Sequence, residues 1–279
     1  MNEIISILKK YFNEEDIITL NKNLDKKQRS IIINEKYFAK VGKNTDELFF
    51  NNLVREIKLY KNNNNNIILP RILDSLVTNE YCVMILEKIN GKTLSNQRNN
   101  YNSHLSNIKR IEIAKNVLNI RNIKINYKLE KNYNRKEKLD KYLEKSKPYL
   151  SKITYNKIVS LYNILSLEPS NIVIAHGDLI LTNIMIDKNT IKFIDWEYIS
   201  YKPEFYDLTC FLMFSRVHHS LDILDKLNID KKEVYIDSVI LCLKEIQNLS
   251  KLYGKIDNNI INKNIERWKK ELNYILKEF

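Results

Sequence analysis

The stretch AHGDLILTNIMIDKNTIKFIDWEY, residues 175–198, carries the side chains best suited to do chemistry. It places Asp178 after a glycine, Asn183 five residues later, and Asp195 at the end of an apolar run. Oxygen donors such as those of Asn183 and Asp195 suit Mg²⁺, a hard cation that keeps some of its water when bound. The Asp178 carboxylate is then free to accept or orient the proton of a hydroxyl group beside a metal-phosphate site.

Two short β runs must position these side chains. NIMI and IKFI, joined by the polar DKNT, predict a tight hairpin that brings Asn183 and Asp195 to one rim, next to Asp178. Gly177 allows the backbone to turn sharply just before Asp178. The alternative is that HGD is an ordinary turn and the carboxylates are surface acids. The ordered pattern, with β runs around it, favours a site.

Length and composition indicate a globular protein. The chain has 279 residues, of which 44% are apolar, so it can form one large domain or two lobes. No run approaches the roughly 20 uncharged apolar residues that cross a bilayer. The first residues, MNEIISILKKYFNEED, lack the layout of a signal peptide. We therefore expect a cytoplasmic protein without a membrane span.

The net charge of +12 raises the alternative of a nucleic-acid binder. The positive charge is mostly lysine, spread along the chain, without the arginine-rich or aromatic-interleaved block that a nucleic-acid groove favours. A solvated, lysine-rich surface explains the charge better, and we expect no nucleic-acid partner.

The N-terminal part, residues 1–90, predicts a small sheet with one main helix. SIIINEKYFAKVG indicates a hairpin, and TDELFFNNLVREIKLYKN a helix with Thr45 as its N-cap. Leu48, Phe49, Leu53, Ile57 and Tyr60 recur at helical spacing in that segment. The asparagine run 62–66 predicts a loop, and IILPRIL and YCVMILE predict strands.

The remainder, residues 91–279, predicts a mostly helical lobe. Apolar residues recur at three- and four-residue spacing over residues 105–168 and again over residues 205–279. The site stretch lies between these helical segments. The predicted fold class is therefore α+β, with a sheet-bearing N-lobe and a larger helical C-lobe that meet near residue 90.

HGDLILTN followed by IDWE resembles the catalytic and metal-binding motifs of the aminoglycoside phosphotransferase and choline kinase superfamily, whose fold resembles that of protein kinases. The continuation WEYISYKPEFYDL resembles the choline kinase-like, small-molecule branch. The pattern spans most of residues 30–215 and is more specific in its second half. The resemblance implies a bilobal protein-kinase-like fold.

The resemblance also implies roles for single residues in the C-lobe. Asp178, Asn183 and Asp195 match the catalytic set, of which Asn183 and Asp195 would bind Mg²⁺. His176 and Asp207 match residues that support the catalytic loop.

In the N-lobe the resemblance implies a nucleotide site. Lys40 stands where a strand lysine would contact the ATP phosphates, and Glu56 where its ion-pair partner would lie. The carbonyl of Glu87 and the amide of Ile89 match the hinge that holds adenine. The implied cofactors are ATP, or another nucleoside triphosphate, and Mg²⁺.

One departure concerns the loop that covers the phosphates between the first two strands of kinase-like folds. Its counterpart is NLDKKQRS, Asn23 to Ser30, which has no glycine. Ser30, Gln28 or the lysines would then have to contact phosphate through side chains. This departure motivates the alternative of a nucleotide-binding pseudokinase, against which the intact catalytic set argues.

The function predicted is phosphorylation of a hydroxyl group on a small-molecule acceptor. An amino alcohol such as choline or ethanolamine fits best, because Glu197, Tyr201 and Tyr206 could supply a carboxylate and aromatic faces for an ammonium group. An aminoglycoside or a sugar is the alternative acceptor.

Overall fold

The N-terminal part is built on a four-stranded antiparallel sheet. The computed structural model describes residues 2–27, 29–98, 105–164, 167–215 and 222–278. The strands of this sheet are β1 (Arg29–Ile33), β2 (Tyr37–Lys43), β3 (Ile72–Val77) and β4 (Tyr81–Glu87). Their order is β1-β2-β4-β3, with Lys40 of β2 opposite Ile31 of β1. The predicted hairpin and the buried strand YCVMILE are confirmed, whereas the segment predicted as IILPRIL becomes extended only at Ile72.

The main helix of this part, α3 (Glu47–Asn62), packs on one face of the sheet. The predicted N-cap, Thr45, is wrong. The Asp46 carboxylate caps the helix instead, because it accepts a hydrogen bond from the Phe49 amide at 3.1 Å. Leu48 is also not a core residue, since it is 74% exposed.

Two helices that the sequence analysis did not predict cover the opposite face. They are α1 (Asn2–Leu8) and α2 (Glu14–Lys27). Leu8, Leu20 and Leu24 of these helices are buried against Ala39 and Val83 of the sheet.

Helix α2 overturns the expected phosphate loop at Asn23 to Ser30. The helix continues to Lys27, and β1 begins at Arg29, so residues 23–27 are helical and do not join two strands. Gln28 lies outside the described residues. The physical reason is the burial of Leu24, which holds the last turn of the helix on the sheet.

Helices form most of the second part, as predicted. They are α4 (Asn107–Leu118), α5 (Arg135–Ser146), α6 (Lys152–Ile164), α7 (Tyr206–Phe214), α8 (Asp222–Lys226), α9 (Lys231–Ser250) and α10 (Asn258–Ile275). Helix α9 lies at the centre, with fourteen buried residues, and packs against α5, α7 and α10. A buried ion pair between Arg135 and Asp237, at 2.9 Å, joins α5 to α9.

Short strands position the site stretch between these helices. They are β5 (Lys92–Thr93), β6 (Ile172–Ala175), β7 (Ile184–Asp187), β8 (Thr190–Phe193) and β9 (Ser200–Pro203). The predicted hairpin is β7–β8, and its pairing of Ile184 with Phe193 leaves Asn183 and Asp195 at the open end. Strand β5 pairs with β7, and β9, which was not predicted, pairs with β6.

The chain passes from the sheet to the second part through a close approach at Gly91. A Cβ atom at Gly91 would lie 2.3 Å from the carbonyl oxygen of Ile186 in β7, so this contact requires glycine. Within the described ranges, no helix combines the length and the apolar character that crossing a membrane needs. We propose that the two lobes divide at this crossing, near residue 90.

Candidate active site

The loop that carries Asp178 is held by Asp207, the second residue of α7. The Asp207 carboxylate accepts hydrogen bonds from the backbone amides of His176, at 2.6 Å, and Gly177, at 3.0 Å. Burial raises the pKa of Asp207, while His176 and the two amide hydrogen bonds oppose that rise. Gly177 has φ of +87°, and a Cβ there would lie 2.3 Å from the Tyr198 carbonyl oxygen. The sharp turn before Asp178 therefore depends on Asp207 and on glycine at position 177.

His176 joins this loop to the end of the β7–β8 hairpin. Its ring is fully buried, its Nε2 lies 2.8 Å from the carbonyl oxygen of Ile194, and its centroid is 4.6 Å from that of Trp196. These contacts fix the residues on either side of Asp195. His176 thus supports the backbone on both sides of Asp195.

Asn183 is oriented by the Asp178 backbone. The side-chain Nδ2 of Asn183 donates to the backbone carbonyl oxygen of Asp178 at 2.9 Å. The backbone carbonyl oxygen of Asn183 accepts from the Ile194 amide at 3.0 Å. Because the side-chain nitrogen Nδ2 already donates this hydrogen bond, Oδ1 is the side-chain atom of Asn183 that can accept hydrogen bonds. Thr182 Oγ1 lies 3.3 Å from Oδ1.

Asp195 adopts a backbone conformation that is rare outside glycine. Its φ of 66° and ψ of 59° are left-handed, and such residues cluster at functional sites. Its carboxylate is 39% exposed, and Oδ1 lies 2.5 Å from the Lys40 amine. The turn aims this carboxylate at the N-terminal sheet.

The ion pair predicted between Lys40 and Glu56 is formed. Lys40 Nζ lies 3.0 Å from Glu56 Oε2, and Glu56, only 1% exposed, also accepts from the Trp196 amide at 3.0 Å. Burial alone would lower the pKa of Lys40, but the carboxylates of Glu56 and Asp195 raise it above its usual value. Lys40 therefore stays charged between two carboxylates, and its role in phosphate binding stays a prediction.

Two cavities adjoin this ion pair. The first, of about 430 Å³, is mainly apolar and falls in the size range of small-molecule sites. Glu87 and Ile89 line it, as do Ile31, Ile33, Phe38, Tyr60, Leu86 and Met185. The second, of about 460 Å³, is lined by Arg29, Glu197 and other residues. Lys40 and Asp195 line both cavities, so they stand at the junction.

The predicted acceptor residues are not gathered at one place. Glu197 lines the second cavity with Lys40, and burial, followed by the charge of Asp195, raises its pKa. The ring of Tyr201 has the Lys131 amine 4.8 Å from its centroid, and the ring of Tyr206 has the Lys202 amine at 5.5 Å. Lysines of the chain thus already contact both tyrosine rings, and acceptor binding by these three residues stays a prediction.

The sequence analysis missed two residues beside Asp178. Arg98 contacts Asp178 directly, and Glu245 contacts Arg98. The Arg98 guanidinium lies against the Asp178 carboxylate and also contacts Glu245 of α9. Arg98 follows β5 in a segment without a recognisable motif. A signal for Glu245 does exist, because it lies four residues from both Leu241 and Leu249, on a helix face that would otherwise carry an apolar residue.

The donor set fits a magnesium ion. Asp195 offers a half-exposed carboxylate and Asn183 an amide oxygen whose nitrogen is already engaged. Two protein oxygen ligands are enough for Mg²⁺, which keeps several waters and takes further oxygens from phosphates. Among the described residues, no three His, Cys, Asp or Glu side chains lie close enough together to hold a metal ion by themselves.

The four-stranded sheet, the Lys40–Glu56 pair and the loop that carries Asp178 are typical of the protein-kinase-like fold. The model of the choline/ethanolamine kinase family matches residues 32–238, which is most of the chain. The chain therefore belongs to the choline/ethanolamine kinase family, whose members are kinases of small molecules.

Solved structures share this fold at low sequence identity. A choline/ethanolamine kinase family protein from Mesorhizobium loti is 11% identical, with 89% of this chain and 85% of that chain covered and a TM-score of 0.64. Choline kinase from Cryptosporidium parvum is 16% identical, with 99% and 96% covered and a TM-score of 0.53.

An aminoglycoside phosphotransferase from Streptomyces rimosus, solved with ADP and streptomycin, is 15% identical, with 79% and 94% covered and a TM-score of 0.51. No curated protein matches the chain significantly. These structures share the fold of the chain.

Proposed function

We propose that the protein transfers the γ-phosphoryl group of Mg-ATP to the hydroxyl of a small amino alcohol, such as choline or ethanolamine. The observation that carries this proposal is that Lys40 and Asp195 line both cavities, while Asn183 lines the first cavity and is hydrogen-bonded to the backbone of Asp178. One cavity suits a nucleotide base, and the charged residues suit its phosphates.

The nucleotide would lie with its base in the apolar cavity beside Glu87 and Ile89, and with its phosphates toward Lys40. Lys40 is held in place by Glu56, which is itself fixed by the Trp196 amide. A charged lysine that is already oriented loses little freedom when it binds phosphate. The ADP in the Streptomyces rimosus relative supports the use of a nucleotide.

Catalysis would rest on positioning and charge. When bound between Asn183 and Asp195, Mg²⁺ supplies positive charge that offsets the phosphate oxygens. Asp178 orients the acceptor hydroxyl and accepts its proton. The acceptor oxygen forms a bond to the γ-phosphorus, the bond to the bridging oxygen breaks, and ADP leaves.

The amino-alcohol acceptor is supported by the family match and by charge beside Asp178. Glu245 is a second carboxylate near the Asp178 side chain, and only 2% of its side chain is exposed. Two carboxylates held close together attract a cation, as the contacts of Arg98 with both show, and would likewise favour a cationic ligand.

Relative kcat/KM values for several acceptor classes test this proposal. At fixed Mg-ATP we expect choline or ethanolamine to exceed simple sugars and aminoglycosides by about tenfold or more, the effect of one charge-assisted hydrogen bond. If a neutral or anionic acceptor has a kcat/KM value that is higher by the same margin, the proposal of a cationic acceptor is wrong and the kinase assignment stays intact.

Replacement of Lys40 by alanine tests the phosphate contacts separately. Because residues 34–36, which join β1 to β2, include no glycine that would bring backbone amides close to the phosphates, we expect ATP to depend on Lys40, the metal and the hinge. Lys40→Ala should weaken nucleotide binding or turnover by about 100-fold, the scale of a lost charged contact at a transferring phosphoryl group.

Lys43→Ala, at the end of the same strand, is the matched control, because Lys43 contacts the ring of Tyr81 and not the two carboxylates. Kinetics of Lys40→Ala close to those of the parent would show that the phosphates are anchored elsewhere. Titration with Mg-ADP distinguishes loss of binding from loss of turnover.

A further inference from the structure

Arg98 engages both oxygens of the Asp178 carboxylate. Its Nη1 lies 3.1 Å from Oδ1 and 2.9 Å from Oδ2, and its Nη2 lies 3.1 Å from Oδ1. Such a bidentate contact between a guanidinium and a carboxylate is among the strongest side-chain hydrogen-bond geometries. The carboxylate that would orient the acceptor is therefore already paired within the chain.

The same guanidinium bridges to Glu245 and covers an aromatic ring. Nη2 lies 3.1 Å from Glu245 Oε1, and the guanidinium carbon is 5.3 Å from the centroid of Phe214. Phe214 is 1% exposed with Arg98 in this position. Two carboxylates and an aromatic face are the partners that an ammonium ligand uses.

The dimensions of this contact match a small amino alcohol. Asp178 Oδ1 and Glu245 Oε1 both lie 3.1 Å from one nitrogen atom of Arg98, so the two oxygens are close to each other. In ethanolamine and choline two carbon atoms separate the hydroxyl from the nitrogen. One such molecule can place its hydroxyl at Asp178 and its ammonium group at Glu245 and Phe214.

Arg98 and a cationic acceptor would therefore compete for one position. Burial alone would lower the pKa of Arg98, but Glu245 and then Asp178 raise it above its usual value, so the guanidinium remains charged. The Arg98 side chain is 37% exposed and lies on a segment that follows β5, whereas Glu245 is fixed within α9. Arg98 is thus the partner that can leave.

We propose that Arg98 is a specificity-determining residue, an internal cation that holds the place between Asp178 and Glu245 until the ammonium group of the acceptor replaces it. This inference rests on the proposed function. A cationic acceptor restores the partners that Glu245 and Phe214 lose when Arg98 leaves. A neutral alcohol would leave the buried Glu245 carboxylate without a cationic partner, with only the Asn248 amide at 3.5 Å, and such a loss is costly. Arg98 thereby selects for cations.

Steady-state kinetics of Arg98→Gln and Arg98→Lys with ethanolamine and choline test the inference. Removal of an internal competitor raises the fraction of protein that can bind, so KM for the acceptor should fall by about tenfold or more in Arg98→Gln. Arg98→Lys should be intermediate, because one ammonium group lacks the planar fork that bridges both carboxylates. Arg71→Ala, which removes the same charge from an exposed position before β3, is the control.

Glu245→Gln supplies a second, independent variant. Loss of the charge that would receive the ammonium group should raise KM for ethanolamine by about tenfold. KM for ATP should stay near the parent value. Thermal melting of each variant establishes that it is folded before its kinetics are compared.

Free guanidinium separates competition from a catalytic need for Arg98. At millimolar, non-denaturing concentrations it should inhibit Arg98→Gln competitively with the acceptor, because it refills the vacated position. If guanidinium restores turnover, or if Arg98→Gln lowers kcat without lowering KM, Arg98 is a positioning residue that stays in place and the inference is wrong.

The outcome also separates this inference from the proposed function. If neither the parent nor Arg98→Gln phosphorylates an amino alcohol, the acceptor class is wrong and the inference fails with it. If the parent does so and KM does not fall in Arg98→Gln, only the inference fails.

Discussion

Replacement of Asp178 by asparagine should lower turnover by about 10²–10⁴-fold, the range for a lost general base. The amide keeps the shape of the side chain but cannot accept the hydroxyl proton. The loop should keep its conformation, because Asp207 holds the His176 and Gly177 amides, and because Asn183 donates to the backbone carbonyl oxygen of Asp178 and not to its carboxylate. We therefore expect Mg-ATP binding close to that of the parent.

The measurement is kcat under saturating Mg-ATP and acceptor, with nucleotide affinity measured separately by calorimetry. Asp187→Asn is the matched control, because it makes the same chemical change at the end of β7, away from the open end of the hairpin. Turnover of Asp178→Asn equal to that of the parent would remove Asp178 from the chemistry.

The second large effect is expected at Asp195. Asp195→Ala should weaken Mg-nucleotide binding by more than the 10–100-fold that is typical when a residue supporting a metal ligand is lost, because Asp195 would be a ligand itself. The substitution also removes one of the two carboxylates that surround Lys40. Lys40 would then remain paired with Glu56 alone.

The nucleotide affinity of Asp195→Ala should be compared with and without Mg²⁺. The parent should bind ATP more tightly when Mg²⁺ is present, and the variant should lose that difference. Asp195→Asn, which keeps one oxygen donor without the charge, should fall between the two. A variant that binds Mg-ATP as tightly as the parent would show that Asp195 is not a metal ligand.

The site hairpin could be predicted because its information is local. The apolar runs around DKNT set the pairing of β7 with β8, and that pairing brings Asn183 and Asp195 to one end. The resemblance to known kinases supplied Lys40 and Glu56, which meet only in the folded chain. In a chain so rich in lysine, spacing alone would not have identified that pair.

Features that depend on distant partners could not be predicted. Arg98 and Glu245 are 147 positions apart, and no local pattern indicates that they meet beside Asp178. Helix α2 likewise replaces an expected loop because Leu24 finds a partner surface on the sheet, which its own segment does not reveal. Lys131, which contacts the ring of Tyr201, is likewise distant from it in the sequence.

Transfer of labelled γ-phosphate from ATP to ethanolamine or choline tests the central claim most directly. With Mg²⁺ present, the parent protein should form a labelled phosphomonoester and ADP in equal amounts. Product formation should cease with a chelator and should fall by about 10²–10⁴-fold in Asp178→Asn. ADP formed without any labelled acceptor, or no turnover with any hydroxyl compound despite tight Mg-ATP binding, would contradict the assignment of the protein as a small-molecule kinase.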